Sequence, residues 1–267
     1  MPAGRFTMLR SAMPGVVAVE AVSSHSFARH THEQFGIGVI RAGAQVSASG
    51  RGMVEAVAGD TITVNPGEVH DGAPYGGADR SWRMLYVDPG VVASMFGDIT
   101  EGRHDGGEMT SPVMRDPRIA GRVESLFAAV TSAAAPASRS DELLLTLLPL
   151  VFVRGRLSPA RPDTAAIRRA RDLLDGDPAT AWTLADLAKA SGLSRFQVLR
   201  GFARVTGLTP HAYLMQRRID LARGLIAQGV RLSEAAFASG FADQSHMTRV
   251  FVGKYGLTPK AYADALN

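Results

Sequence analysis

Arg200-x-Phe202-x4-Gly207-Leu208-Thr209-Pro210-x-Ala212-Tyr213 returns 49 residues later as Arg249-x-Phe251-x4-Gly256-Leu257-Thr258-Pro259-x-Ala261-Tyr262, with eight positions agreeing in type and spacing. Each copy follows a shorter block, Leu184-x2-Leu187-Ala188-x-Ala190-Ser191-Gly192-Leu193 and Leu232-x2-Ala235-Ala236-x-Ala238-Ser239-Gly240-Phe241, here offset by 48 residues. The second unit therefore holds one extra residue between block and motif. A chain with two copies of one small unit is expected to use both at once.

The unit reads physically as helix, tight turn, helix. Leu184, Leu187 and Ala188 fall at i, i+3 and i+4 on one helical face, and Gly192 stands where a helix ends in the left-handed conformation that glycine tolerates. Ser194 is an N-cap for the next helix, whose apolar stripe is Val198, Leu199, Phe202 and Val205. Arg195, Gln197, Arg200 and Arg204 are left towards the other side. Small Ala188 and Ala236, four residues before the turn glycines, let two helices approach closely at a steep angle. In a helix-turn-helix of this kind the second helix enters the major groove of DNA.

Charge agrees. Residues 164–267 carry 14 Lys or Arg against 8 Asp or Glu, net +6, and residues 1–163 carry 15 against 17, net −2, which together make the chain's +4. The whole basic excess belongs to the repeated region, where it attracts phosphate without by itself reading sequence.

Residues from about Ala166 to Leu266 resemble the double helix-turn-helix domain of AraC-family transcription regulators. The residues that carry the resemblance are Ala236-x3-Gly240-Phe241-x3-Ser245-x3-Arg249-x-Phe251-x4-Gly256-x-Thr258-Pro259-x2-Tyr262. It implies a connecting helix at about Pro210–Ala227 that presents both recognition helices to successive major-groove segments of double-stranded DNA. Eighteen helical residues span about 27 Å, the right order for grooves roughly 34 Å apart once side-chain reach is added. The expected readers are Arg195, Phe196, Gln197 and Arg200 in the first unit, where Arg204 is also expected to bind DNA, and Gln244, Ser245, His246, Thr248 and Arg249 in the second. Arg200 and Arg249, at equivalent places, are either base readers or members of a shared structural salt bridge. Lys254, Arg217, Arg218, Thr209 and Thr258 are expected to touch phosphate or cap helices. Leu199 occupies a place where family members often show a polar residue, so the first helix is expected to read fewer bases than the second.

At 267 residues, 46% apolar and with a mean hydropathy of +0.03, the chain can fill two cores. It has no cysteine, which removes disulfides and thiolate-held metal and fits a reducing cytoplasm. No stretch is apolar and long enough to span a bilayer, and MPAGRFTMLRSAMPG lacks the apolar run of a signal peptide, so a cytoplasmic protein without a membrane partner is expected.

Residues 16–89 read as short strands. Phe35–Ile40, Ala44–Ser49, Met53–Val57, Thr61–Val64 and Trp82–Val87 are separated by turn signals at Arg41-Ala42-Gly43, Gly50-Arg51-Gly52, Ala58-Gly59-Asp60 and Pro66-Gly67, the pattern of a barrel or jelly roll. His30-Thr31-His32 with Gly43, and Gly59-x7-Gly67-x2-His70, resemble degraded cupin motifs, and a cupin sensor ahead of a double helix-turn-helix is the AraC-family arrangement. The fold class expected is thus multidomain: an N-terminal cupin-like β-barrel or jelly roll with interdomain helices, and a C-terminal all-α double helix-turn-helix. The divisions are 1–110 for the sensor, 111–157 for a helical dimerisation or interdomain segment, 158–164 for a linker and 165–267 for the DNA-binding domain.

His30, His32 and His70 offer a three-nitrogen metal set. The glutamate of a metal-binding cupin, however, would fall at Gly36 or Ile37, and its later asparagine at Pro74. The favoured reading is therefore a small-molecule effector pocket with no cofactor, lined by His30, His32, His70, Glu68, Trp82 and Tyr86, with Arg29 near by. A cupin metal enzyme is disfavoured for the same reason. A helical-repeat interaction module is disfavoured because two copies are too few for a self-supporting solenoid and the basic face stays unexplained. No catalytic residues are assigned.

Ile119, Val123, Leu126, Phe127 and Val130 follow helical spacing, Ala133–Ser138 breaks it, and Ser140-Asp141-Glu142 opens a second helix from Leu143 to Val153, broken or kinked at Pro149. The second run is apolar all round, which predicts burial between domains or against a partner chain, and the family resemblance favours a homodimer. An activating regulator of this family would have RNA polymerase as a further partner.

Overall fold

The computed structural model describes residues 4–100, 106–132, 137–152 and 165–266. The expected linker at 158–164 lies outside them, as do Val153 and the start of the break after Ala133. The chain divides into two compact units, residues 1–157 and 158–267, so the helical segment expected as a separate division belongs to the first unit.

The first unit is built on two antiparallel sheets. One contains β1 (Gly4–Leu9), β2 (Val16–Ser23), β4 (Phe35–Ala42), β7 (Thr61–Val64), β9 (Arg80–Val87) and β10 (Val113–Met114), in the order β1-β2-β9-β4-β7-β10. The other contains β3 (Phe27–His30), β5 (Ala44–Ser49), β6 (Gly52–Val57) and β8 (His70–Pro74), in the order β3-β8-β5-β6. Strand β9 shows why the sheets stack: Trp82 and Met84 face the second sheet among Phe6, Phe27 and Ile40, and Leu85 and Val87 face the helical side. Both faces of this central strand are covered, so it carries apolar residues in both registers.

Helices α1 (Pro89–Thr100), α2 (Pro117–Thr131) and α3 (Ala137–Val151) supply that cover. Asp116 caps α2, accepting from the Arg118 N–H at 2.9 Å, and Pro117 opens it. Helix α3 begins three residues before the expected Ser140 and contains Pro149, because Leu144, Leu147, Leu148 and Val151 are buried in the core against α1, α2 and the sheet and hold the last turn in place. That burial corrects the expectation of a partner-facing apolar helix. The apolar face is used inside its own unit, and Asp141, Glu142, Thr146 and Leu150 face outward.

The second unit is all helix: α4 (Ala165–Gly176), α5 (Leu184–Ser191), α6 (Arg195–Thr206), α7 (Pro210–Ala227), α8 (Leu232–Ala238), α9 (Gln244–Tyr255) and α10 (Pro259–Leu266). The expected connecting helix is α7, with the expected bounds. Capping boxes at Thr183/Asp186 and Ser194/Gln197 start α5 and α6, Thr209 and Asp243 cap α7 and α9, and left-handed Gly192, Gly207 and Gly256 end α5, α6 and α9. Ile167, Leu174, Leu187, Val198, Phe202 and Leu214 form the core of the first half, and Ala235, Ala236, Phe241, Met247 and Phe251 are buried in the second.

Candidate functional site

The second helix of each repeat presents its outer face to solvent. On α6, Arg195, Phe196, Arg200 and Arg204 are exposed, Phe196 to 63%, and the Arg200 guanidinium stands 5.5 Å from the Phe196 ring. On α9, Gln244, Ser245 and Arg249 are exposed. None of these arginines has an acidic partner among the described residues, so the salt-bridge alternative for Arg200 and Arg249 finds no carboxylate. Phe202 and Phe251, at the repeated positions two residues on, are fully buried and fix which way each face points.

Four expected side chains stand differently. Gln197 accepts from the Ser194 N–H at 2.9 Å, so its oxygen is committed to the cap while its amide N–H groups remain the only donors it can aim at a base. His246 is half-buried with its ring edge-to-face on Phe241 at 5.3 Å, and Thr248 is half-buried beside Met247. Lys254 is also half-buried: burial pushes its ammonium below the usual lysine range, and nearby Asp220 opposes that shift. Lys254, expected at phosphate, is thus less exposed than the arginines of the same face. Leu199, placed on the apolar stripe by its spacing, is 38% exposed beside Arg200, because Val198 and Phe202 already fill the core under α6.

Two further basic residues, Arg218 and Arg217, are engaged inside the unit. Arg218, 9% exposed, donates to the carbonyls of Pro178 at 2.8 Å and Thr180 at 3.0 Å, clamping the loop before α5. Arg217 pairs with Asp175 at 3.1 Å, and Thr209 and Thr258 cap helices, accepting from Ala212 and Ala261 N–H.

In the first unit, strands β3 and β8 bring His30 and His70 opposite one another. The ring centroids of His30, His32 and His70 lie 4.4–5.1 Å apart, and His30 and His32 are 4% and 7% exposed. Tyr86 joins them, its ring 5.0 Å from that of His32. The Glu68 carboxylate is engaged elsewhere: it accepts from the Asn65 side-chain N–H at 2.9 Å and faces Arg51 at 3.7 Å. Trp82 sits in a packed aromatic layer with Phe6 and Phe27, centroids 5.7 and 6.2 Å away, and Arg29 is exposed.

Arg80 is a residue that the sequence reading missed. It is 1% exposed, stacks 4.7 Å from the Trp82 ring, and donates to Gln45 Oε1 at 2.9 Å and the His25 carbonyl at 3.0 Å. With neutral acceptors around it, burial pushes its pKa down to about 10. The two-residue period Arg80, Trp82, Met84, Tyr86 was the available signal, since it puts all four on the inner face of one strand.

A β-sandwich with a buried imidazole cluster, joined in one chain to two helix-turn-helix units with exposed cationic faces, defines a ligand-binding, DNA-binding regulator. Residues 14–152 match the AraC-like ligand binding domain and residues 187–265 a helix-turn-helix domain. The chain is 30% identical over 225 residues, 83% of its length and 81% of the relative's, to the uncharacterised HTH-type transcriptional regulator YbfI of Bacillus subtilis (strain 168). It is 25% identical over 207 residues, 68% and 73% of the two lengths, to the virulence regulon transcriptional activator VirF of Yersinia enterocolitica. The crystal structure of ToxT from Vibrio cholerae O395 shares the fold, with a TM-score of 0.56 at 13% identity over 99% of this chain and 98% of that one. The chain belongs to the AraC family and is a transcription regulator with a ligand-binding and a helix-turn-helix DNA-binding domain.

Proposed function

We propose that α6 and α9 enter successive major-groove segments, with Arg195, Phe196 and Arg200 reading bases from the first and Gln244, Ser245 and Arg249 from the second. The observation that carries this is the pairing of exposed arginines that lack acidic partners among the described residues with buried Phe202 and Phe251 in both repeats. Arginine grips guanine bidentately, glutamine pairs with adenine, and the Phe196 ring suits a thymine methyl. Arg204, in the last turn of α6, is placed to meet phosphate.

The effector site belongs at the histidine end of the sandwich, around His30, His32, His70 and Tyr86, because Phe6, Phe27 and Trp82 fill the other interior positions. Effector binding there would bias DNA occupancy through its differential affinity for two states of the chain. The relatives support a regulator over an enzyme. No described helix is long and apolar enough to cross a membrane, and a cytoplasmic regulator acting with RNA polymerase fits this reading. A homodimer completes this reading. A monomer in light scattering at micromolar concentration would remove the dimer.

The test is base discrimination. Arg249→Ala should cost about 1–3 kcal/mol at one base position and relax preference there, read by fluorescence anisotropy on a systematically substituted operator. Equal losses on cognate and random duplexes would return Arg249 to a phosphate or structural role.

A further inference from the structure

We propose that His30, His32 and His70 bind one divalent transition-metal cation through three imidazole nitrogens. The register of β3 on β8 sets His30 opposite His70, and His32 follows two residues later in the chain. One nitrogen from each ring lies within 4.8 Å of the other two. A tetrahedral cation with nitrogens near 2.1 Å needs them about 3.4 Å apart, so the rings draw together on binding.

Hydrogen bonding selects the ligating nitrogen. His30 Nδ1 lies 2.7 Å from the Ala28 carbonyl oxygen, and His70 Nδ1 lies 3.0 Å from that of Glu68. A carbonyl oxygen only accepts, so each Nδ1 carries a hydrogen and Nε2 is the ring nitrogen left to ligate. A backbone carbonyl holding the non-ligating nitrogen is the support that metal-bound imidazoles use. Here it is supplied twice, each time from the residue two positions earlier in the chain.

The missing carboxylate does not exclude the site. Gly36 stands at the expected glutamate position, and a Cβ there would already meet Met84 Cε at 2.9 Å and the Tyr86 ring at 3.5 Å, so the room is taken by neighbours from β9. Three nitrogens suffice to hold zinc with a coordination position left for water or an oxygen donor. A donor set of imidazole without carboxylate or thiolate selects zinc, nickel, cobalt, copper or iron over magnesium or calcium.

The experiment uses the untagged full chain, stripped with a chelator, dialysed, and titrated with Zn²⁺ and Ni²⁺ by calorimetry and with Co²⁺ by visible absorption. One equivalent per chain is expected, with nitrogen-ligand bands for Co²⁺. His30→Gln and His70→Gln should each weaken binding roughly 100-fold or more. His211→Gln, in the other unit, should leave it unchanged. Failure of the wild-type chain to take up a stoichiometric cation overturns the site, whatever the variants do. So does unchanged affinity in the His30 and His70 variants. The titration contains no effector, so the effector reading can fail without affecting it.

Discussion

Gly192 and Gly240 occupy the same place in the two repeats, yet substitution by alanine should separate them. Both are left-handed, with φ of +68° and +77°. A Cβ on Gly192 meets nothing within 4 Å, whereas a Cβ on Gly240 would lie 2.4 Å from the Ala179 carbonyl oxygen and 2.8 Å from its Cα. The neighbour is backbone, and it cannot retreat freely because Arg218 holds Pro178 and Thr180 on either side. Gly192→Ala therefore costs the left-handed conformation alone, about 1–2 kcal/mol. Gly240→Ala adds an overpacking cost of about 1–3 kcal/mol, for a total of about 2–5 kcal/mol. The chain has two tryptophans, Trp82 in the sensor and Trp182 in the DNA-binding unit, so urea unfolding in a Trp82→Phe background reports the second unit alone. Gly240→Ala should also lose DNA affinity at temperatures where Gly192→Ala retains it, because the first helix of the second repeat packs on that loop. Equal destabilisation of the two variants would refute the reasoning, since it would mean that the loop yields at no cost.

Lys254→Met should keep the salt dependence of DNA binding and hold stability within about 0.5 kcal/mol of wild type, because the half-buried stem still packs and a charge that burial disfavours is removed. A salt slope lower by about one in that variant would restore the phosphate contact. The Thr183 hydroxyl and N–H hold the Asp186 carboxyl below the usual carboxylate range. Its stabilising contribution is therefore complete above the unfolded value near about 3.9 and is lost as pH falls from there through the lower folded value. Asp186→Asn should flatten the acid limb of stability against pH in the second unit, measured by thermal unfolding from pH 6 to pH 2, and an unchanged limb would show that the capping box contributes nothing to it.

The helices of the DNA-binding unit were legible because their signals are local. Ser194 before Arg195, Thr209 before Pro210, and glycine at 192, 207 and 256 state where each helix starts and stops. Strands β5 and β7 were bounded by turn residues and matched their expected ends, whereas β1, β3 and β8 had no comparable punctuation and depend on their neighbours for pairing. Which side chains face DNA was only partly legible. Periodicity places Arg200 and Arg249 outward, but it cannot tell that His246 leans on Phe241 or that Lys254 is half-buried, since both depend on a helix distant in sequence or on a turn's exact path.

Sequence alone determined that the chain holds a duplicated helix-turn-helix with a basic face and a β-rich sensor containing three histidines, because repeats, caps, turn residues and charge act over a few residues and need no distant partner. Tertiary structure decided the rest. It turned the apolar face of α3 into its own unit's core, engaged the Glu68 carboxylate with Asn65 and Arg51, and buried Arg80 against Trp82. It also set His30 across from His70 with their Nδ1 hydrogens committed to backbone carbonyls. These are outcomes of strand register and packing, as in the pairing of His30 with His70, 40 residues on, and only the folded sandwich settles which of the competing contacts each side chain makes.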